Sequence, residues 1–376
     1  MNTGWNRVPA LLGVALLASL PAAAASGVVT LSNSHAKGAE PVWTAERFAA
    51  AREMPLQAPM QEIDYRDDLS GIPEASSWLA DESVTGFSAE GRAPIAGIRA
   101  DGSNRLFEAA DREMALAAED DLGSVHEPAN GNANNYFTSA RLVPTSADRS
   151  YPYSTVGKLF FHIPNKGDFY CSATVIRARI IATAGQCVHS GTANPGFYSD
   201  FVFAPAYRDG TAPLNTWEWE YVVIHNTWTG GNGKLPNAAD YALIELEDKV
   251  INGATRKVGD VAGYLGYVIQ RLRPNHAHLL GYPSNFDSGE KLHQVTAQAL
   301  RNANPNNVEY GSDMRSGSGG GPLIQDFGDN PSLAKWIGVL SYYNTSTAVK
   351  VQGASIPDSR FTGLLNSACA HRAGNC

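Results

Sequence analysis

Cysteine is scarce in this chain. There are four in 376 residues and no Cys-x-x-Cys pair, which excludes the usual zinc and dithiol motifs, so no metal is expected. Beyond residue 26 no stretch approaches the ~18 consecutive apolar residues of a membrane helix, so no membrane span is expected once the N-terminal segment is removed. Positive charge is sparse where it would be needed to bind nucleic acid. Residues 61–127 hold 16 acidic and 5 basic side chains, a balance of −11 within a net charge of −8, which leaves +3 for the remainder. Nucleic acid is therefore excluded as a partner of the acidic part. Sustained helical periodicity is rare, and nothing points to a cofactor.

The N-terminus has the features of an export signal. Arg7 precedes an apolar run over residues 11–20, followed by Pro21 and four alanines. The run is short for a bilayer and ends in small residues, so residues 1–25 are expected to be a signal peptide and the protein secreted or periplasmic. Residues 26–145 read as an acidic, largely irregular leader and linker. Thr44 opens a helical candidate over residues 45–54, and Pro55 and Pro59 break the chain just after it. Residues 61–103 have no sustained period. Asn104 precedes a second helical candidate at 105–118, where Phe107, Ala110, Met114 and Ala117 share a face. Two readings of this leader stay open: a removable or cleft-covering segment that folds against a mildly basic domain, or a tail without function.

From residue 151 the style changes to short β-rich runs separated by turn residues. Strands are expected at 156–162, 169–176, 179–182, 201–203, 217–224 and 241–246. A second set occupies 279–281, 292–300, 308–310, 322–324 and 336–343, and a helix is expected at 360–366. This pattern implies an all-β barrel or sandwich and does not choose between them. The expected globular domain is 146–368, with a short tail at 369–376.

Three sequence boxes make that choice. Gly317-Ser318-Gly319-Gly320-Gly321-Pro322 resembles the Gly-x-Ser-Gly-Gly-Pro nucleophile motif of trypsin-like serine proteases, with Gly319 at the serine position. Ile181-Ala182-Thr183-Ala184-Gly185-Gln186-Cys187 resembles the family's Thr-Ala-Gly-His-Cys box, with Gln186 at the histidine position. Asp240-Tyr241-Ala242-Leu243 resembles the box that carries the triad aspartate, and Asp240 is retained. The order is that of chymotrypsin. From residue 151 onward the chain is most similar to the bacterial secreted V8-like (glutamyl endopeptidase-like) branch. The resemblance implies two antiparallel six-stranded β-barrels with a C-terminal helix and the site between the barrels. It also implies a Cys171–Cys187 disulfide. Cys369 and Cys376 are spaced to close a small C-terminal ring.

A serine protease needs a hydroxyl nucleophile, an imidazole base, a carboxylate to orient the base and donors for the oxyanion. A carboxamide takes no proton near neutral pH, and Gly319 has no side chain. What remains is a potential oxyanion hole at the amides of Gly317 and Gly319, plus a cleft. Asp313, six residues before Gly319, holds the position of a trypsin-type specificity aspartate and implies a preference for Lys or Arg. Residues 338–343 resemble the substrate-pairing segment, which places Ser341 and Tyr343 at the pocket; Leu340 stands where V8-like relatives keep a histidine. Neighbouring hydroxyls and imidazoles are the alternative to an inert cleft. Ser318 falls one residue early and Ser316 three. His189 is expected behind the first barrel's rim, and His276, His278 and His293 at surface or partly buried positions. The expectation is a pseudoprotease that binds a peptide or protein in its cleft; the alternative is an active endopeptidase with a relocated triad.

Overall fold

β-Branched and aromatic residues favour extended backbone, whose side chains enter a core and whose amides and carbonyls pair sideways. The computed structural model describes residues 1, 27–34, 42–60, 63, 65–66, 84–89, 136–142, 147–269, 276–344 and 350–376. The apolar run expected as an export signal, residues 11–20, and the helical candidate at 105–118 lie outside the described residues.

Four strands precede the main domain: β1 (Val28–Ser32), β2 (Arg52–Glu53), β3 (Tyr65–Arg66) and β4 (Phe137–Arg141). The first barrel is built from β5 (Val156–Ile163), β6 (Gly167–Val175), β7 (Ile180–Thr183), β8 (Ser199–Pro205), β9 (Trp217–His225) and β10 (Ala242–Leu246). These strands pair in the order β9-β10-β7-β6-β5-β8, and a β8–β9 pairing closes the ring. A hairpin, β11 (Lys249–Ile251) and β12 (Ala254–Arg256), leads across. The short β13 (Gly266–Tyr267) comes before the six strands of the second barrel. They are β14 (His276–Gly281), β15 (His293–Ala303), β16 (Asn307–Gly311), β17 (Pro322–Gln325), β18 (Lys335–Tyr343) and β19 (Val351–Ser355). Their order is β18-β17-β14-β15-β16-β19, closed by β18–β19. The fold is thus the two-barrel, trypsin-like one, with few helices.

Each barrel carries its own apolar interior. Phe160, Phe161, Phe201, Trp217 and Ile244 are buried in the first, and Leu279, Val295, Tyr310, Leu323 and Leu340 in the second. The C-terminal helix, Ser359–His371, starts where the Asp358 carboxylate accepts the Arg360 amide at 3.0 Å. It seats Phe361 against Tyr241 of the first barrel and Trp336 of the second. It is longer than the 360–366 expected, and Ala368 continues the buried face begun by Phe361, Leu364 and Leu365. Disulfides join Cys171 to Cys187 and Cys369 to Cys376.

The described part of the leader packs against this frame. Trp43 and Phe48 stack on each other at 4.9 Å, and both pack on Phe160, tilted and edge-on, with ring centroids 5.6 and 5.0 Å away. Arg47 grips Asp168 through two hydrogen bonds of 2.8 and 2.7 Å. The helix opened by Thr44 ends at Ala50 rather than at Met54. Pro55 disfavours helical backbone at Met54, and Arg52 and Glu53 pair instead with Phe169 and Tyr170 of β6, in parallel. Strand β4, within the stretch expected as linker, pairs along β15 from Phe137↔Ala297 to Arg141↔His293.

Candidate active site at the barrel junction

Four chain segments converge where the barrels meet. The turn Gly185–Cys187 leaves β7, and Asp240 precedes β10. Residues 316–321 lead into β17, and Ser341 lies in β18. Asp240 is fully buried. Its Oδ1 accepts the Gln186 amide at 2.8 Å, and its Oδ2 accepts the Gln186 Nε2 at 2.9 Å and the Ser341 hydroxyl at 2.6 Å. Gln186 Nε2 also donates to the Ser341 carbonyl. Both neighbours of Nε2 are acceptors, so the amide has only one sensible orientation. That orientation leaves Gln186 Oε1 buried without a hydrogen-bond partner. Burial pushes the Asp240 carboxyl up to about 6, against the opposing pull of the Ser341 and Gln186 hydrogen bonds.

The glycine turn is built from two kinds of glycine. Gly317 and Gly320 have φ of +86° and +79°, and a Cβ on Gly320 would lie 2.1 Å from the Thr183 hydroxyl. These two positions require glycine. Gly319 has no such backbone. A Cβ there would meet Leu56 Cδ1 at 3.2 Å and Cys187 Sγ at 3.9 Å. The Gly319 carbonyl accepts the Ser172 amide at 2.9 Å, which ties the turn to the first barrel.

Leu56 is the residue that sequence reasoning did not place at the site. It is 3% exposed. Its segment crosses the cleft: the Gly317 amide donates to the Met54 carbonyl at 3.1 Å, and the Tyr343 amide donates to the Gln57 carbonyl at 3.2 Å. The Leu56 amide donates to Ser316 Oγ at 3.2 Å. No local motif marks residues 54–57; their only sequence signal is an uncharged, proline-flanked run beside charged neighbours.

The other candidates separate from this cluster. Ser318 is buried and points away, its hydroxyl donating to the Arg315 carbonyl at 2.7 Å and accepting from Gln352 Nε2 at 2.9 Å. His189 is buried beside Phe197, and its Nδ1 accepts the Gly191 amide at 2.9 Å. Asp313 is 9% exposed and accepts the Ser139 hydroxyl at 2.7 Å. Ser139 Oγ also lies 2.7 Å from His293 Nε2. These three residues form a Ser-His-Asp cluster in the second barrel. Its geometry is wrong for an attacking serine, because the hydroxyl proton goes to the carboxylate and not to the imidazole, and Ser139 is 2% exposed. Tyr343 has the Arg315 guanidinium 5.2 Å over its ring. Among the described residues, no group of His, Cys, Asp and Glu is placed to hold a metal ion, and no helix is long and apolar enough to cross a membrane.

Residues 146–362 match the family described as Trypsin. The chain belongs to the trypsin family. Among solved structures similar to this trypsin-family chain is a thermostable serine protease, AL20, from an extremophilic microorganism. It is 28% identical over 61% of this chain and 100% of that one, with a TM-score of 0.50. Protease Anisep from Arthrobacter nicotinovorans is 24% identical over 58% of this chain and 96% of that one, at 0.49. A Glu endopeptidase is 18% identical over 64% and 100%, at 0.48. No curated protein matches the trypsin-family chain in sequence.

Proposed function

We propose that this protein is an exported, proteolytically inert member of the trypsin family that works by holding a peptide or protein segment in its inter-barrel cleft. The observation that carries the reading is the Gln186 amide, fastened to Asp240 and Ser341 beside a Gly319 with no side chain. Catalysis would require an imidazole that accepts the nucleophile's proton and returns it to the leaving group. The carboxamide does neither, and there is no hydroxyl to activate. Loss of such a partner costs on the order of 10⁶ in turnover, roughly 8 kcal/mol. The binding half of the machinery remains: the Gly317 amide already has a peptide carbonyl on it, and the Tyr343 backbone already pairs with a peptide segment. Two disulfides suit an oxidising compartment and support export.

The test is hydrolysis of casein and of a mixed peptide library by purified protein, alongside an Asp240→Ala variant. Both are expected at background. Turnover by the unmodified protein that Asp240→Ala abolishes would refute inertness and establish a working triad around that carboxylate.

A further inference from the structure

The segment that fills the cleft touches four separate walls in sequence. Arg52 and Glu53 run parallel to Phe169 and Tyr170 of β6, and the Met54 amide donates to the Tyr170 carbonyl at 2.8 Å. Met54 and Leu56 then engage the glycine turn, through the Gly317 amide and the Ser316 hydroxyl. Gln57 forms a parallel bridge with Tyr342 of β18. The Met60 amide reaches the Leu235 carbonyl at 2.9 Å on the first barrel's rim. Residues 54–60 carry no charge, and Pro55 spares the cleft one amide donor to satisfy. Leu56 Cδ1 sits 3.2 Å from the point a Gly319 side chain would occupy. The missing side chain is therefore filled space: the hollow at Gly319 is the seat of a leucine.

We propose that the cleft is a receptor for an extended, uncharged peptide lying parallel to both β6 and β18, with an aliphatic side chain seated over Gly319, and that residues 54–57 are the chain's own occupant. This rests on the cleft being a peptide site and adds direction, side-chain preference and a resident competitor. Main-chain pairing to strand edges supplies the attraction, and the Gly319 seat supplies selection. An external peptide must displace the resident segment, so its apparent affinity is its intrinsic affinity multiplied by the fraction of molecules in which the cleft is open.

The probe is a fluorescein-labelled synthetic peptide with the sequence of residues 50–60, titrated into the full-length protein and its Leu56→Asp variant and read by anisotropy. The variant is expected to bind at least about tenfold more tightly than the unmodified protein. A probe with Asp in place of its Leu is expected not to bind. A photo-crosslinker at the probe's N-terminus is expected to label residues near Tyr170. Labelling near Tyr343 would overturn the parallel direction. Equal affinity of the two proteins for the probe would overturn the resident-competitor claim. A second variant guards against misfolding of the first: Gly319→Val, which alters no core side chain, is expected to speed cleavage after Arg52 by an added arginine-specific protease, and an unchanged rate would overturn the seat. An intact probe that fails to bind Leu56→Asp refutes this proposal alone, whereas a probe found cleaved refutes both it and the inert reading.

Discussion

Restoring the two missing chemical groups, Gln186→His and Gly319→Ser, is expected to produce a protease that stays largely covered by its own chain. Each single change is expected to remain at background, since a base without a nucleophile and a nucleophile without a base both leave most of the ~10⁶-fold deficit in place. The double change restores the constellation, with Asp240 and Ser341 already hydrogen-bonded in position. The segment around Leu56 then decides access. Full burial of a leucine is worth ~1.5–3 kcal/mol, while a new side chain 3.2 Å from its Cδ1 costs ~1–3 kcal/mol in overpacking. A contact of 3.2 Å asks Leu56 to give by only a few tenths of an ångström, which puts the overpacking at the low end of its range, so the segment is weakened but not released. Adding Leu56→Ala removes most of the remaining attraction, worth about 2 kcal/mol, which is roughly thirtyfold in the open population. Initial rates on fluorogenic peptides ending in Arg or Lys are the assay, the choice expected from the position of Asp313 in the sequence. Double and triple variants with equal rates would refute the claim that residues 54–57 cover the site. A single variant as fast as the double would refute the argument from the triad.

Three further outcomes are expected from the same contacts. Asp240 has a folded pKa of about 6 against an ordinary value near ~3.9, so its protonated form is the one the fold prefers; relative to Asp240→Asn, the unmodified protein should gain roughly 2 kcal/mol on going from pH 7 to pH 4, measured by urea unfolding at both values, and a constant difference would contradict it. Gly319→Ala should cost under about 2 kcal/mol, while Gly320→Ala, with its positive φ and a Cβ 2.1 Å from Thr183 Oγ1, should cost ~3 kcal/mol or more; equal melting temperatures would show that the two glycines are not of different kinds. Replacing Cys369 and Cys376 by serine opens a ring with a sequence separation of 7 and should lower stability by about 2.5 kcal/mol, with loss of helical signal at the C-terminal end; an unchanged denaturation midpoint would refute it.

The barrel strands and the three boxes could be read from consecutive residues because their determinants are local. Short β-rich runs between turn residues mark β5 and β18, alternation marks β9, and glycine at 317 and 320 answers a backbone requirement within one turn. Both disulfide pairs came from family resemblance and short spacing. Strand β19 is not marked in the sequence, because Val351-Gln352-Gly353-Ala354-Ser355 has no alternation and its pairing with β16 and β18 holds it extended. The helix end at Ala50 was set by the parallel edge that β6 offers to Arg52 and Glu53. The cleft's occupant was settled at longest range. Leu56 and Ser316 are 260 residues apart in sequence, and nothing in Met54-Pro55-Leu56-Gln57 names the hollow it fills. Composition could show that Gly319 lacks a hydroxyl; only the assembled barrels decided that a leucine takes the space, because a cavity's shape belongs to all the walls that enclose it.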